Sequence, residues 1–231
     1  MRRNIFLSII SLIILFIIIF SIPAEAKDYN ACSMVGQSIL YISPKVDAQH
    51  RENNICDYMQ LPVDFRRALG KAGVKIYSFS EEEAGYPEKI GGLTNEDITE
   101  YTTIENGNIS KKYTQNTYAE VYNLKAVELH DNALLHEIGH CFDDTYAGGY
   151  PATLHYSPLS DTQEWRDIYK EEYWQMAQLN RNSHANVYSP CEALAETFSA
   201  VISKPCQVSS HCPKAYTFII KHMMEYIRYY S

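Results

Sequence analysis

The chain has 231 residues, 46% of them hydrophobic, with 20 Lys and Arg against 28 Asp and Glu, a net charge of −8. That balance argues against nucleic acid as a partner, because such interfaces are built on basic patches. The length suits one domain with a real core and is short for a protein that also carries a delivery module.

The chain opens with Met1, Arg2 and Arg3, then an apolar run from Ile5 to Ile22 broken only by Ser8, Ser11 and Ser21, then Ala24, Glu25, Ala26. A basic start, an apolar stretch and a small-x-small end predict a signal peptide over residues 1–26, cut after Ala26, and hence a secreted protein. An uncleaved anchor is the rival, since the run is about the ~18 residues at which a membrane helix becomes possible. After the cut no stable membrane association is expected. Cys32, Cys56, Cys141, Cys191, Cys206 and Cys212 all follow it, and six cysteines in an exported chain predict three disulfides.

Residues 27–60 mix small and polar types without a period and read as a weakly structured lead-in tied by a Cys32–Cys56 bridge; residues 61–231 form the main domain. Leu61, Phe65, Ala68, Leu69 and Ala72 recur at helical spacing and end on Gly73, and VKIYSF then alternates as a strand. Residues 80–116 are poor in apolar side chains and predict long loops with at most a short strand, the run Glu81, Glu82, Glu83 being solvated. TYAEVYN, residues 117–123, alternates as a strand, and Asp131 is a fitting N-cap for a helix over 132–142. Trp165, Ile168, Tyr169, Tyr173 and Met176 form one helical face, a further helix starts near Ser189, and Tyr216, Ile219, Ile220, Met223 and Ile227 form the stripe of a last one that begins at Pro213. Cys206 to Cys212 reads as a short loop closed by a local disulfide.

The chemistry concentrates in LLHEIGHCFDD, residues 134–144. Residues four apart share a helix face, so His136 and His140 can direct ring nitrogens at one point, two of the ligands that a tetrahedral zinc requires. Glu137 lies one position round, beside the metal, where it can take a proton from a water that the metal acidifies and pass it to a leaving amine. A catalytic zinc needs a third protein ligand and an open position. The pattern HExxHxxGxxH is excluded, because Asp143 and Tyr146 stand where it needs glycine and histidine. PCEALAETF, residues 190–198, places Glu192 and Glu196 one turn apart; one can ligate while the other hydrogen-bonds a ligand histidine and fixes its tautomer. Cys141 follows the second histidine and Cys191 precedes Glu192, and these matched offsets predict a disulfide that clamps the two helices. His50, His130, His155, His184, His211 and His222 have no ligand spacing, and Asn108, Ile109, Ser110 form a glycosylation sequon.

HEIGHCFDDTYAGG followed about fifty residues later by EALAETF resembles the catalytic domain of the anthrax lethal factor-like family of zinc metallopeptidases, which includes small secreted Pro-Pro endopeptidases. Asp143, Asp144 and Gly148 match the family's acidic pair and glycine; Glu192, Ala195, Glu196 and Phe198 match its later helix. The likeness implies an α+β, zincin-like domain: a small twisted sheet, the HExxH helix, and a following helix with the third ligand. It makes His136, His140 and Glu192 the ligands of one Zn2+, Glu137 the general base, and Glu196 the carboxylate behind a ligand histidine. The family's oxyanion tyrosine stands seven residues before the ligand glutamate; here that position is Ala185 and the nearest tyrosine is Tyr188. The resemblance further implies that strand 117–123 lines the cleft and pairs with an extended protein or peptide substrate. The expected function is thus that of a secreted zinc endopeptidase. The alternatives are a disulfide-stapled binding or adhesion protein with a structural or vestigial zinc, and a toxin that cuts one folded host protein.

Overall fold

A computed structural model describes residues 27–36, 38–84, 92–105, 108–123, 132–148, 158–179 and 187–231. The expected signal peptide, Asp131, Ala185, His130, His155 and His184 lie outside them. The chain is mixed α+β, with eight α-helices and one five-stranded sheet among the described residues. No helix there is long and apolar enough to cross a membrane.

The stretch that reads as weakly structured carries two strands and a helix: β1 (Ser33–Met34), β2 (Leu40–Ile42) and α1 (Ala48–Gln60). Leu40 and Ile42 are fully buried, but three residues are too few to show an alternation. In α1 the buried positions are Asn54 and Tyr58, and Asn54 donates to the Ser78 hydroxyl at 2.9 Å. Its inner face is therefore partly polar, which hides the helical stripe. Asp47 caps it by accepting the His50 N–H at 2.9 Å.

Helix α2 (Val63–Lys71) buries Phe65, Ala68 and Leu69 as its spacing predicts, and Gly73, at φ 84°, turns the chain into β3 (Lys75–Ser80). The acid run forms a single helical turn, α3 (Glu81–Ala84), and corrects the solvated-loop expectation for Glu83. Glu83 is 3% exposed, accepting from the Ser43 hydroxyl at 2.9 Å and the Ser80 N–H at 3.0 Å, so it ties the end of β3 to the β2 side.

The largest departure is the expected loop over 80–116. It folds into β4 (Gly92–Glu105), which pairs antiparallel with β5 (Asn108–Asn123) from Gly92↔Val121 to Glu105↔Asn108. The sheet runs β1-β2-β3-β5-β4, with β3 parallel to β5 over Lys75↔Tyr118 to Ser80↔Asn123. Only residues 118–121 of β5 pair with a strand on both sides, and before them the hairpin leaves the sheet as a two-stranded ribbon. Its sequence is rich in threonines and charges, and no apolar alternation marks it. The centre of strand 117–123, residues 118–121, is accordingly paired on both sides and is not a sheet edge; among the described residues the edge on this side is β4.

The helices cover one face. Helix α4 (Ala133–Gly148) is longer than expected, with the Asn132 side chain accepting the Leu135 N–H at 3.1 Å at its start. A 3-10 turn (Leu159–Asp161) leads to α5 (Gln163–Gln178), capped by Thr162, and α6 (Pro190–Ser203) is capped by Ser189. The expected loop at 206–212 is a helix, α7 (Pro205–His211), and α8 (Pro213–Tyr229) ends the fold. Phe65, Phe142, Phe198 and Tyr226 pack at centroid separations of 5.4–5.8 Å in the core between the sheet and these helices.

None of the three expected disulfides is formed. Cys32 packs on Phe79 while Cys56 is exposed on α1. Cys212 is buried in the core while Cys206 faces solvent, and Cys141 is fully buried.

Helices α4 and α6 cross with their backbones touching. A Cβ at Gly139 would lie 2.8 Å from the Ala195 Cα and 3.0 Å from its carbonyl oxygen. Gly139→Ala should therefore destabilise the protein by about 1–3 kcal/mol, because the obstacle is backbone that no rotamer change relieves. This outweighs the ~1 kcal/mol that alanine normally gains over glycine within a helix. Urea unfolding of the two proteins checks this, and an unchanged or raised midpoint would contradict the close crossing.

Candidate metal centre

Gly139 sits between His136 and His140, and Ala195 between Glu192 and Glu196, so the helix crossing brings all four side chains to one place. His136 Nε2 lies 3.1 Å from His140 Nε2 and 3.2 Å from Glu192 Oε2, and His140 Nε2 lies 3.6 Å from the same oxygen. Three donors held ~2.0–2.1 Å from one tetrahedral ion would be about 3.3 Å apart. His136, His140 and Glu192 can hold a metal ion, and among the described residues they are the cluster that does so. His50, His211 and His222 stand apart from it: His50 pairs with Asp47, His211 lies beside Ser210, and His222 contacts Tyr146 and Glu225.

The surrounding charges favour a cation at that point. Burial alone would lower the His136 pKa, but hydrogen bonds to Glu192 and Glu196 outweigh it and lift the pKa to about 10. Burial would likewise raise that of Glu192, yet its hydrogen bonds to His136 and His140 hold it far below the usual carboxylate range. Two carboxylates thus stabilise positive charge where the donors meet. Glu196, 3% exposed, contacts His136 Nδ1 at 2.9 Å. With a metal bound, that contact would hold the proton on Nδ1 and leave the Nε2 lone pair for the ion.

Glu137 faces β4. Thr94 Oγ1 donates to Glu137 Oε2 at 2.8 Å and also meets its backbone carbonyl at 3.3 Å. Gly92 makes room for the carboxylate: a Cβ there would fall 2.5 Å from Glu137 Cγ. Neither Gly92 nor Thr94 stands out in the sequence, because their strand carries no apolar alternation; the signal that could have found them is the glycine beside a threonine two positions on.

Cys191 replaces the expected clamp with a different contact. Its sulfur lies 3.4 Å from His140 Nδ1, on the side of the ring away from the shared point, so it neither bridges to Cys141 nor joins the ligands. Burial, then the nearby charge of Asp143, pushes its thiol pKa well up. Asp143 is itself fully buried and accepts the Ser160 N–H at 2.8 Å, which docks the 3-10 turn onto α4. Tyr188 precedes the α6 cap and is 70% exposed, its phenol pKa raised first by the charge of Glu192 and then by burial.

No protein-family model matches the chain, and no curated protein does.

Glu196→Gln keeps the shape behind His136 and removes the charge. It should weaken metal binding about 10–100-fold, as measured by chelator competition. Unchanged affinity would remove Glu196 from this role.

Proposed function

We propose that the chain is an exported zinc-dependent endopeptidase with a zincin-like domain, of the lethal factor type that its motifs resemble. The observation that carries this is the convergence of two histidine nitrogens and one carboxylate oxygen beside a further carboxylate, Glu137, that is not among the three donors. Two nitrogens and one oxygen in tetrahedral spacing suit Zn2+ with a position left open. Zinc supplies a Lewis acid that polarises a peptide carbonyl and acidifies water at that position.

The protein's own groups do the rest. Glu137, oriented by Thr94, takes a proton from the attacking water and delivers it to the leaving amine as the C–N bond breaks. Tyr188 swings its hydroxyl toward the oxyanion; its position directly before the helix that carries Glu192 supports this role in place of the family's more distant tyrosine. The substrate lies extended along β4, whose outer edge has no partner strand among the described residues, and adds to the sheet through main-chain hydrogen bonds. A structural zinc in a binding protein would fill its fourth position with Cys or His, whereas Cys191 contacts the far nitrogen of His140.

A diverse peptide library digested with residues 27–231 and read by mass spectrometry tests this reading. Cleavage should vanish with a chelator and fall at least about a hundredfold in Glu137→Ala. Tyr188→Phe should lower turnover about 10²–10³-fold with zinc retained. Full zinc binding without any cleavage would favour the binding protein or the single-target toxin, and unchanged turnover in Tyr188→Phe would remove that residue from the site.

A further inference from the structure

The face of the sheet away from the helices carries a second apolar cluster. Phe79 is fully buried there, with Cys32, Tyr77 and Leu93 packed against it. Next to it, Glu120 on β5 is 2% exposed and stands in register with Tyr77 on one side and Leu93 on the other. A carboxylate buried that deeply needs a charged or hydrogen-bonding partner. The partners come from the first described residues of the chain. Lys27 Nζ lies 2.5 Å from Glu120 Oε2, and the Tyr29 hydroxyl donates to Oε1. The Lys27 ammonium also stands 5.9 Å from the centre of the Phe79 ring, a cation–π contact. Tyr29 meets Tyr77 and Phe79 edge to face, at 4.9 and 5.3 Å between centroids.

Residues 27–32 thus lie across the back of β3 and β5, against the same Phe79 that Leu93 of β4 packs on. Side chains alternate along a strand, so Gly92 and Thr94 press on Glu137 from one face while Leu93 rests on this cluster from the other. As the end strand, β4 has one sheet neighbour among the described residues, β5, and the cluster supplies its support from behind.

We propose that Lys27–Cys32 is a brace that positions β4, and through Thr94 and Gly92 the Glu137 carboxylate. It is seated by the ammonium of the residue that the expected cut after Ala26 makes the first of the mature chain. A cut there would add an α-ammonium to the same residue. The catalytic consequence rests on the peptidase reading; the structural one does not.

The test compares residues 27–231 with residues 33–231 by amide hydrogen exchange, zinc stoichiometry and peptide turnover. A synthetic peptide of residues 27–32 is then added to the shortened protein. Without the brace, β4 amides should exchange on the order of tenfold faster while those of α4 and α6 hold, with zinc retained and kcat reduced by a similar factor. The added peptide should restore both. Unchanged β4 exchange would overturn the proposal. So would an acceleration spread evenly over the protein that the peptide does not reverse, since that marks a general stabiliser. If residues 33–231 do not fold, Lys27→Met in the mature chain provides the same exchange comparison. If no form of the protein cleaves any peptide, the peptidase reading fails while β4 exchange still decides the brace.

Discussion

The site depends on one close approach. Where α4 and α6 cross, Gly139 lies against the backbone of Ala195, and no side chain separates the two helices. Any Cβ at that position would push them apart, and the distances between the donors would grow with the separation. Because residues i and i+4 share a helix face, the crossing point has His136 and His140 on either side in one helix and Glu192 and Glu196 on either side in the other. The same contact therefore sets the ligand spacing and delivers Glu196 to the back of His136. The two glutamates separate in role through position alone: Glu192 Oε2 meets the ring nitrogens that converge, and Glu196 meets the nitrogen that points away.

Glu137, the general base of the proposed reaction, is positioned from a different direction. Glu137 leaves α4 toward the sheet, where an end strand with a missing Cβ at Gly92 and a hydroxyl at Thr94 receives it. On the proposed peptidase reading, the group that orients the base and the edge that would hold the peptide belong to one element. Such an edge is open by necessity and must be supported from behind, which the cluster of Phe79, Leu93 and the strap from Lys27 provides.

What could be read from the sequence follows from how local each feature is. HExxH, the Glu192–Glu196 turn and the apolar stripes of α2, α5 and α8 depend on 3.6-residue spacing within one helix, and the structure reproduces them. The hairpin of β4 and β5 could not be read, because its sequence carries threonines and charges without the apolar alternation that marks a strand. Without it the edge strand falls at 117–123, whose centre is paired on both sides. The buried Glu83 and Glu120 were invisible for a related reason: their partners, Ser43 and Lys27, lie far away in the chain. The expected Cys141–Cys191 bridge relied on matched offsets from the ligands. Matched offsets place two residues near one crossing but do not aim their side chains, and Cys191 turns to His140.

Zinc K-edge X-ray absorption on the zinc-loaded mature protein tests the central claim most directly. Two nitrogens and one carboxylate oxygen at ~2.0–2.2 Å, one further oxygen from solvent and no sulfur is the shell that His136, His140 and Glu192 predict. A sulfur at ~2.3 Å would instead place Cys191 on the metal, close the open position and contradict a catalytic centre.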